Sequence, residues 1–202
     1  ACTTGDQNTA LGVNCADSIT TGARNTCVGS QSLAACTTGN ANISIGYQTL
    51  DAATTSSNNV AIGVTALGAC TTGGGNLAIG SNAAAATTTA NSNVAVGDAA
   101  LNQNTTGASN TCVGVLAGSG ISGNSNNNAC LGRESGNTVG TGDNNVCLGY
   151  QASVVNSGNN NQVILGNSSI ELLRCAQSSI TTYSDQRDKT DIVDLTDGLD
   201  LI

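Results

Sequence analysis

The chain has no histidine, proline, methionine, tryptophan or phenylalanine, and it has only three tyrosines. Aromatic side chains give an ordinary globular core much of its bulk, so a single compact core is not expected. Lys and Arg total 5 against 13 for Asp and Glu, a balance that argues against a nucleic-acid partner. No apolar run is long enough for a membrane span, and no signal-peptide pattern is present.

What the sequence does contain is a regular array of glycines. We call them the marker glycines: Gly12, Gly29, Gly46, Gly63, Gly80, Gly97, Gly114, Gly132, Gly149 and Gly166. Their spacing is 17 residues in every interval except the 18 between Gly114 and Gly132, where the extra residue falls in the loop-like stretch GSGISGNSNNN. Such a period indicates a stacked repeat architecture, and its strict apolar register argues against disorder.

Aligning the repeats on the marker glycine gives columns of similar residues. An Asn column lies four residues before it (Asn8 to Asn145), and a column of branched aliphatics lies directly before it (Leu11 to Leu165). Between these two lies a column of small residues from Ala10 to Cys147, and a second small column follows three residues after the glycine. Each repeat therefore predicts a short strand, a turn, a second short strand near Thr65–Leu67 and a return turn. The fold class is all-β, a parallel β-solenoid or β-roll of 17-residue coils, with Asn and Thr ladders at the turns.

In the phrase NVAIG, strand alternation puts Val60 and Ile62 on one face and Ala61 on the other. The larger residues are expected inside the narrow coil. The small column would then lie outside, as a smooth surface pressed against another copy of the chain. This arrangement predicts a homo-oligomer packed along the rod axis.

Other motifs indicate little chemistry. The nine cysteines alternate with Ala and Ser in the same columns, which favours small buried groups, although inter-chain disulfides remain open. With no CxxC and no histidine, no metal site is expected, and no cofactor either. The acidic residues of the repeats share no column, so no paired-carboxylate site for sugar hydrolysis is predicted. The variable position after the marker glycine (Tyr47, Asp98, Arg133, Tyr150) is a candidate outward surface.

The Thr pairs of successive repeats suggest an ice-binding β-solenoid as a further alternative. Adjacent threonines, however, are expected to direct their hydroxyls to opposite faces, which leaves one Thr per face per coil. This expectation disfavours ice binding.

The register stops after Gly166. Residues 1–166 are expected to form the β-roll array, residues 167–183 a β connector or cap, and residues 184–202 the start of another domain. Six of the 13 acidic residues lie in that last segment, where Ile192, Leu195, Leu199 and Ile202 have helical spacing. The chain begins in the middle of a repeat, so we expect it to be a window on a longer protein.

Two resemblances cover these segments. The repeats NVAIG, NLAIG and NVAVG resemble the β-roll heads of trimeric autotransporter adhesins, although the repeats are longer here and richer in cysteine. The segment SDQRDKTDIVDL resembles the opening of the intramolecular chaperone domain of endosialidase-type phage tailspikes, and LGNSSIELLRC resembles the connector before it. That family implies trimerisation and then self-cleavage between Ser184 and Asp185. Ser184 would be the nucleophile, Lys189 would assist, and Arg187 would support.

The sequence thus predicts a homotrimeric fibre or tailspike of a virion appendage, extracellular and without catalysis apart from self-cleavage. Its expected partners are two identical chains, other appendage proteins and a host surface receptor, for which a glycan is one candidate. The alternative is the head of a bacterial trimeric surface adhesin.

Overall fold

The computed structural model describes residues 5–172, which contain ten strands and no helix. The strands are β1 Thr9–Leu11, β2 Thr26–Val28, β3 Ile43–Ile45, β4 Val60–Ile62, β5 Leu77–Ile79, β6 Val94–Val96, β7 Thr111–Val113, β8 Ala129–Leu131, β9 Val146–Leu148 and β10 Val163–Leu165. They form one parallel sheet in sequence order, so each strand pairs only with the strands of the coils before and after it. The predicted all-β parallel solenoid is confirmed. Within residues 5–172 no helix could cross a membrane.

Equivalent residues of successive coils are direct partners in the sheet. Val60 pairs with Leu77, Ala61 with Ala78 and Ile62 with Ile79. Parallel strands lie about 4.8 Å apart, so nine intervals give a stack roughly 43 Å long. The additional residue between Gly114 and Gly132 does not disturb the register, because Thr111 of β7 still pairs with Ala129 of β8. It is absorbed in the turn, as predicted.

The interior of the coil is formed by small side chains from two opposing walls. From Cys27 to Cys147 the small column is fully buried, and so are its counterparts from Ser32 to Ala152 in the second small column. The two columns touch across the interior, where the Ser32 hydroxyl donates to the Ser44 hydroxyl at 2.8 Å. Leu33, Leu50, Leu67 and Leu101 fill the space beside them. Small residues are therefore required where the walls approach most closely.

The predicted orientation of the strands is wrong. Ala61 and Cys27 are fully buried inside the coil, whereas Ile45 and Ile79 are each 37% exposed on the outside. The walls are too close together to accept isoleucine, so the small residue of each strand turns inward and the aliphatic residues turn outward. The small column is consequently not available as a contact surface.

The Asn column forms a continuous hydrogen-bonded ladder inside the stack, as the sequence predicts. The side-chain oxygen of Asn59 accepts the backbone N–H of Asn76 at 2.9 Å and the Asn76 amide at 3.1 Å. The Asn59 amide donates to Asn42 and to the carbonyl of Gly73. Each buried Asn therefore joins its own coil to both neighbours and leaves few polar groups unpaired.

The second predicted strand is absent, and a turn occupies Thr65–Leu67. Thr65 and Leu67 have φ values of 53° and 52°, in the left-handed region that non-glycine residues seldom adopt. The turn makes backbone hydrogen bonds in both directions along the stack. The Thr65 N–H donates to Tyr47 of the preceding coil and the Leu67 N–H to Ala83 of the following coil. These bonds between coils replace the pairing of a regular strand.

The prediction that paired threonines point to opposite faces is also wrong. Each pair occupies a turn between two buried positions, as Thr54 and Thr55 lie between Ala53 and Ser56. Both threonines of this pair are exposed to solvent. A bend with two outward residues replaces the alternation of a strand.

Candidate interaction surface

The outward side of the sheet is a continuous apolar surface, which we call the aliphatic face. It consists of the two outward residues of every strand. The residue just before the marker glycine is Val, Ile or Leu in all ten strands, and the other outward residue is aliphatic except at Thr9, Thr26 and Thr111. Several of these side chains are substantially exposed, including Leu131 at 45% and Leu165 at 48%.

The aliphatic face has the character of a contact surface. It extends for the roughly 43 Å length of the stack, and no charged residue occupies an outward position of a strand. Monomeric soluble proteins seldom expose large contiguous apolar patches, and such patches usually mark interaction sites. Its in-register backbone, hydrogen-bonded along the stack, holds the side chains in fixed rows, which limits the entropy lost on association.

The position after the marker glycine is exposed, as the sequence predicts. Tyr47 and Tyr150 are 48% and 50% exposed, and Asp98 and Arg133 are also exposed. The guanidinium of Arg133 lies 5.8 Å from the centre of the Tyr150 ring and 2.6 Å from the Glu134 carboxylate. This column borders the aliphatic face and carries charges at one of its edges.

The interior thiols are poorly reactive. Burial raises the pKa of Cys27 to about 12 and that of Cys70 to about 11. A hydrogen bond with Cys112, together with burial, also raises the pKa of Cys130. Thiolate is the reactive form of cysteine, so these groups are poor nucleophiles at neutral pH.

We expect the buried thiols of residues 5–172 to resist alkylation until the protein unfolds. Maleimide at pH 7.5 should label the half-buried Cys15 far faster than Cys70, because Cys70 is fully buried and almost entirely protonated. Mass spectrometry of elastase peptides would follow each site separately. Labelling in guanidinium provides the control, and equal native rates at Cys15 and Cys70 would contradict the assigned interior.

One open cleft of about 690 Å³ lies beside the last coil. Its lining is polar and aliphatic, including Asn137, Thr138, Gln151 and Ile164, and it contains no carboxylate, thiol or basic side chain. No group of three or more metal-ligating side chains occurs among residues 5–172. Neither observation indicates a bound cofactor or metal in this part of the chain.

The residues predicted to carry out self-cleavage, Ser184, Asp185, Arg187 and Lys189, lie outside the described residues. So do most of the predicted connector and the helical spacing from Ile192 to Ile202. No protein-family model, curated protein or solved structure shows significant similarity to this chain. The assignment of the aliphatic face as a contact surface therefore rests on the geometry of the stack alone.

Sequence reasoning missed the aliphatic face, although a signal for it was present. Asn59 directly precedes β4, and Ala61 lies two residues after it. In an extended segment their side chains therefore lie on the same side. A ladder of Asn side chains along a column is best protected from water in the interior. Assigning the Asn column to the interior would have placed the small column there too, and the aliphatic residues outside.

Proposed function

We propose that this chain is a structural fibre protein, a homotrimeric shaft or head of a virion appendage that serves in host attachment. One observation supports the proposal most directly. The outward residues of the aliphatic face are exposed or half-buried along the whole stack, and a second and third copy of the chain would cover them. Three identical faces packed around a common axis bring equivalent coils to the same level. Each layer would then bury Val, Ile and Leu against the same residues of its partners.

The charged border of the face fits this arrangement. Asp98 and Arg133 lie at its edge, outside the two strand columns. In a parallel trimer three copies of Asp98 at the centre would repel one another, whereas at the rim they stay hydrated. The rim residues of three chains would also present each exposed tyrosine three times, which suits multivalent binding to a host surface.

Assembly by a C-terminal chaperone is the second part of the proposal, and it comes from the resemblance of SDQRDKTDIVDL to that domain. Ser184 would cut the chain before Asp185 once, with Lys189 assisting and Arg187 supporting. The rod itself would have no catalytic role. The rod would bind the host surface and other appendage proteins through its exposed outward residues.

A charge placed in the aliphatic face tests the proposed assembly. Ile62→Glu introduces a carboxylate at an outward strand position, where a trimer would bury three copies close together. Sedimentation velocity should show dissociation into single chains, because burying unpaired charges costs several kcal/mol. The temperature of unfolding should fall at the same time.

Gln103→Glu supplies the matched control. Gln103 is exposed in a turn away from the strands, so the same charge there should leave sedimentation unchanged. If Ile62→Glu and Gln103→Glu both sediment like the unaltered protein, the aliphatic face is not an interface.

A further inference from the structure

Two rows of threonine run side by side along six consecutive coils. The first Thr row is Thr20, Thr37, Thr54, Thr71, Thr88 and Thr105, and the second Thr row is Thr21, Thr38, Thr55, Thr72, Thr89 and Thr106. Every residue of the second row is exposed, and every residue of the first row is exposed or half-buried. We call the surface formed by both rows the Thr face.

The first Thr row has a structural role. The Thr37 hydroxyl donates to the carbonyl of Thr54 at 3.1 Å, and the Thr54 hydroxyl donates to the carbonyl of Thr71 at 3.2 Å. The backbone N–H of Thr37 donates to the same Thr54 carbonyl. These bonds link the coils and fix the orientation of each side chain. Stability of the stack therefore explains why threonine recurs in this row.

In the second Thr row only the Thr106 hydroxyl makes such a bond within residues 5–172, to the carbonyl of Gly123 at 3.2 Å. The hydroxyls of Thr38, Thr55 and Thr72 have no hydrogen-bond partner among residues 5–172, and they meet solvent. Other outward positions vary widely from coil to coil; the residue after the marker glycine is Val, Ser, Tyr, Val, Ser and Asp in the first six repeats. Contacts within the rod therefore do not explain the recurrence of threonine from Thr21 to Thr89.

The residues that flank the Thr face are small or uncharged in four successive coils. The residue two positions before each first-row threonine is Ala35, Ala52, Ala69 or Ala86 in four successive coils. The position two residues after the second row is Asn40, Ser57, Gly74 or Asn91 in the same coils. Threonine has a stiff χ1 torsion, so its methyl and hydroxyl are held in place before binding. The hydroxyls of a row repeat about every 4.8 Å along the stack.

A ligand that engages many identical sites at a constant repeat must itself be periodic. On a rigid surface, hydroxyl groups form hydrogen bonds with water and methyl groups exclude it. Together the two effects fix the positions of the neighbouring water molecules. The coil spacing is close to the repeat of oxygen atoms along one axis of hexagonal ice. We propose that the Thr face binds the surface of ice crystals, a function separate from assembly through the aliphatic face.

Thermal hysteresis measures this binding directly. The whole chain, observed on a single ice crystal in a nanolitre osmometer, should separate the freezing point from the melting point and produce faceted crystals. Tyr substitutions at Thr55 and Thr72 place bulky rings in the middle of the second row. The double variant T55Y/T72Y should reduce the hysteresis to that of buffer while circular dichroism shows the same fold.

Val64→Tyr is the control, because its column already carries Tyr47 and Tyr150 and lies outside the Thr face. This variant should retain the full hysteresis. Absence of hysteresis in the unaltered chain would overturn the inference. So would loss of hysteresis in Val64→Tyr to the same extent as in T55Y/T72Y, or full retention in both variants.

Discussion

Replacing Gly63 with alanine is expected to destabilise the stack by at least about 4 kcal/mol. Gly63 has a φ of 128°, which an L-residue strongly resists. A Cβ on Gly63 would lie 2.5 Å from the backbone oxygen of Gly80 and 2.6 Å from its carbonyl carbon. Because the neighbouring coil supplies backbone atoms here, no side chain can move aside. Denaturant unfolding followed by circular dichroism measures the loss.

Gly75→Ala is the matched control for this prediction. Gly75 has a φ of 69°, and the nearest atoms to a Cβ there are 3.8 Å away on Ser92. Equivalent positions already hold Ala41 and Asn58 at φ values of 55° and 61°. The cost should be about 1 kcal/mol or less. Similar losses for Gly63→Ala and Gly75→Ala would contradict the close approach of the marker glycines.

The second large effect is expected at the Asn ladder. Asn59→Ala removes the acceptor for the backbone N–H of Asn76 and a donor to the carbonyl of Gly73, both in the interior. Each buried polar group left unpaired costs about 1–3 kcal/mol, so the free energy of unfolding should fall by about 3–5 kcal/mol with the lost packing. Thermal unfolding followed by circular dichroism would show the change as a large drop in midpoint.

Asn91→Ala is the control that distinguishes the loss of a ladder residue from the loss of any Asn side chain. Asn91 is exposed, and its side chain accepts the N–H of Gly74 at 2.8 Å. Water can replace that bond, so the expected loss is about 1 kcal/mol or less. An Asn59→Ala protein as stable as Asn91→Ala would show that the ladder contributes little.

The period of the marker glycines was enough to predict the strands, their parallel order and the place of the additional residue. It succeeds because the marker glycine and its close backbone contact recur in nearly every coil. The turn at Thr65–Leu67 could not be predicted in the same way. Threonine and leucine rarely adopt positive φ, and here hydrogen bonds to both neighbouring coils stabilise a conformation that the residue types disfavour.

The orientation of the strands was mispredicted because residue size was taken as the guide to the interior. In most proteins isoleucine is fully buried more often than alanine is. Here Ala61 and Ala66 belong to two walls that pack closely, and the coil has room for one larger residue, Leu67. The geometry of a narrow coil outweighs the usual preference, and it leaves Ile62 half-buried on the outer side of the sheet.

The mass of the intact chain in solution tests the central proposal most directly. Static light scattering gives the molar mass without any assumption about the shape of the particle. Assembly through the aliphatic face predicts three times the mass of one chain, with no dissociation at micromolar concentration. One chain has a mass of 19.7 kDa, less the mass of residues 185–202 if the proposed cut after Ser184 has occurred. The mass of a single chain, with its β-sheet intact by circular dichroism, would contradict it.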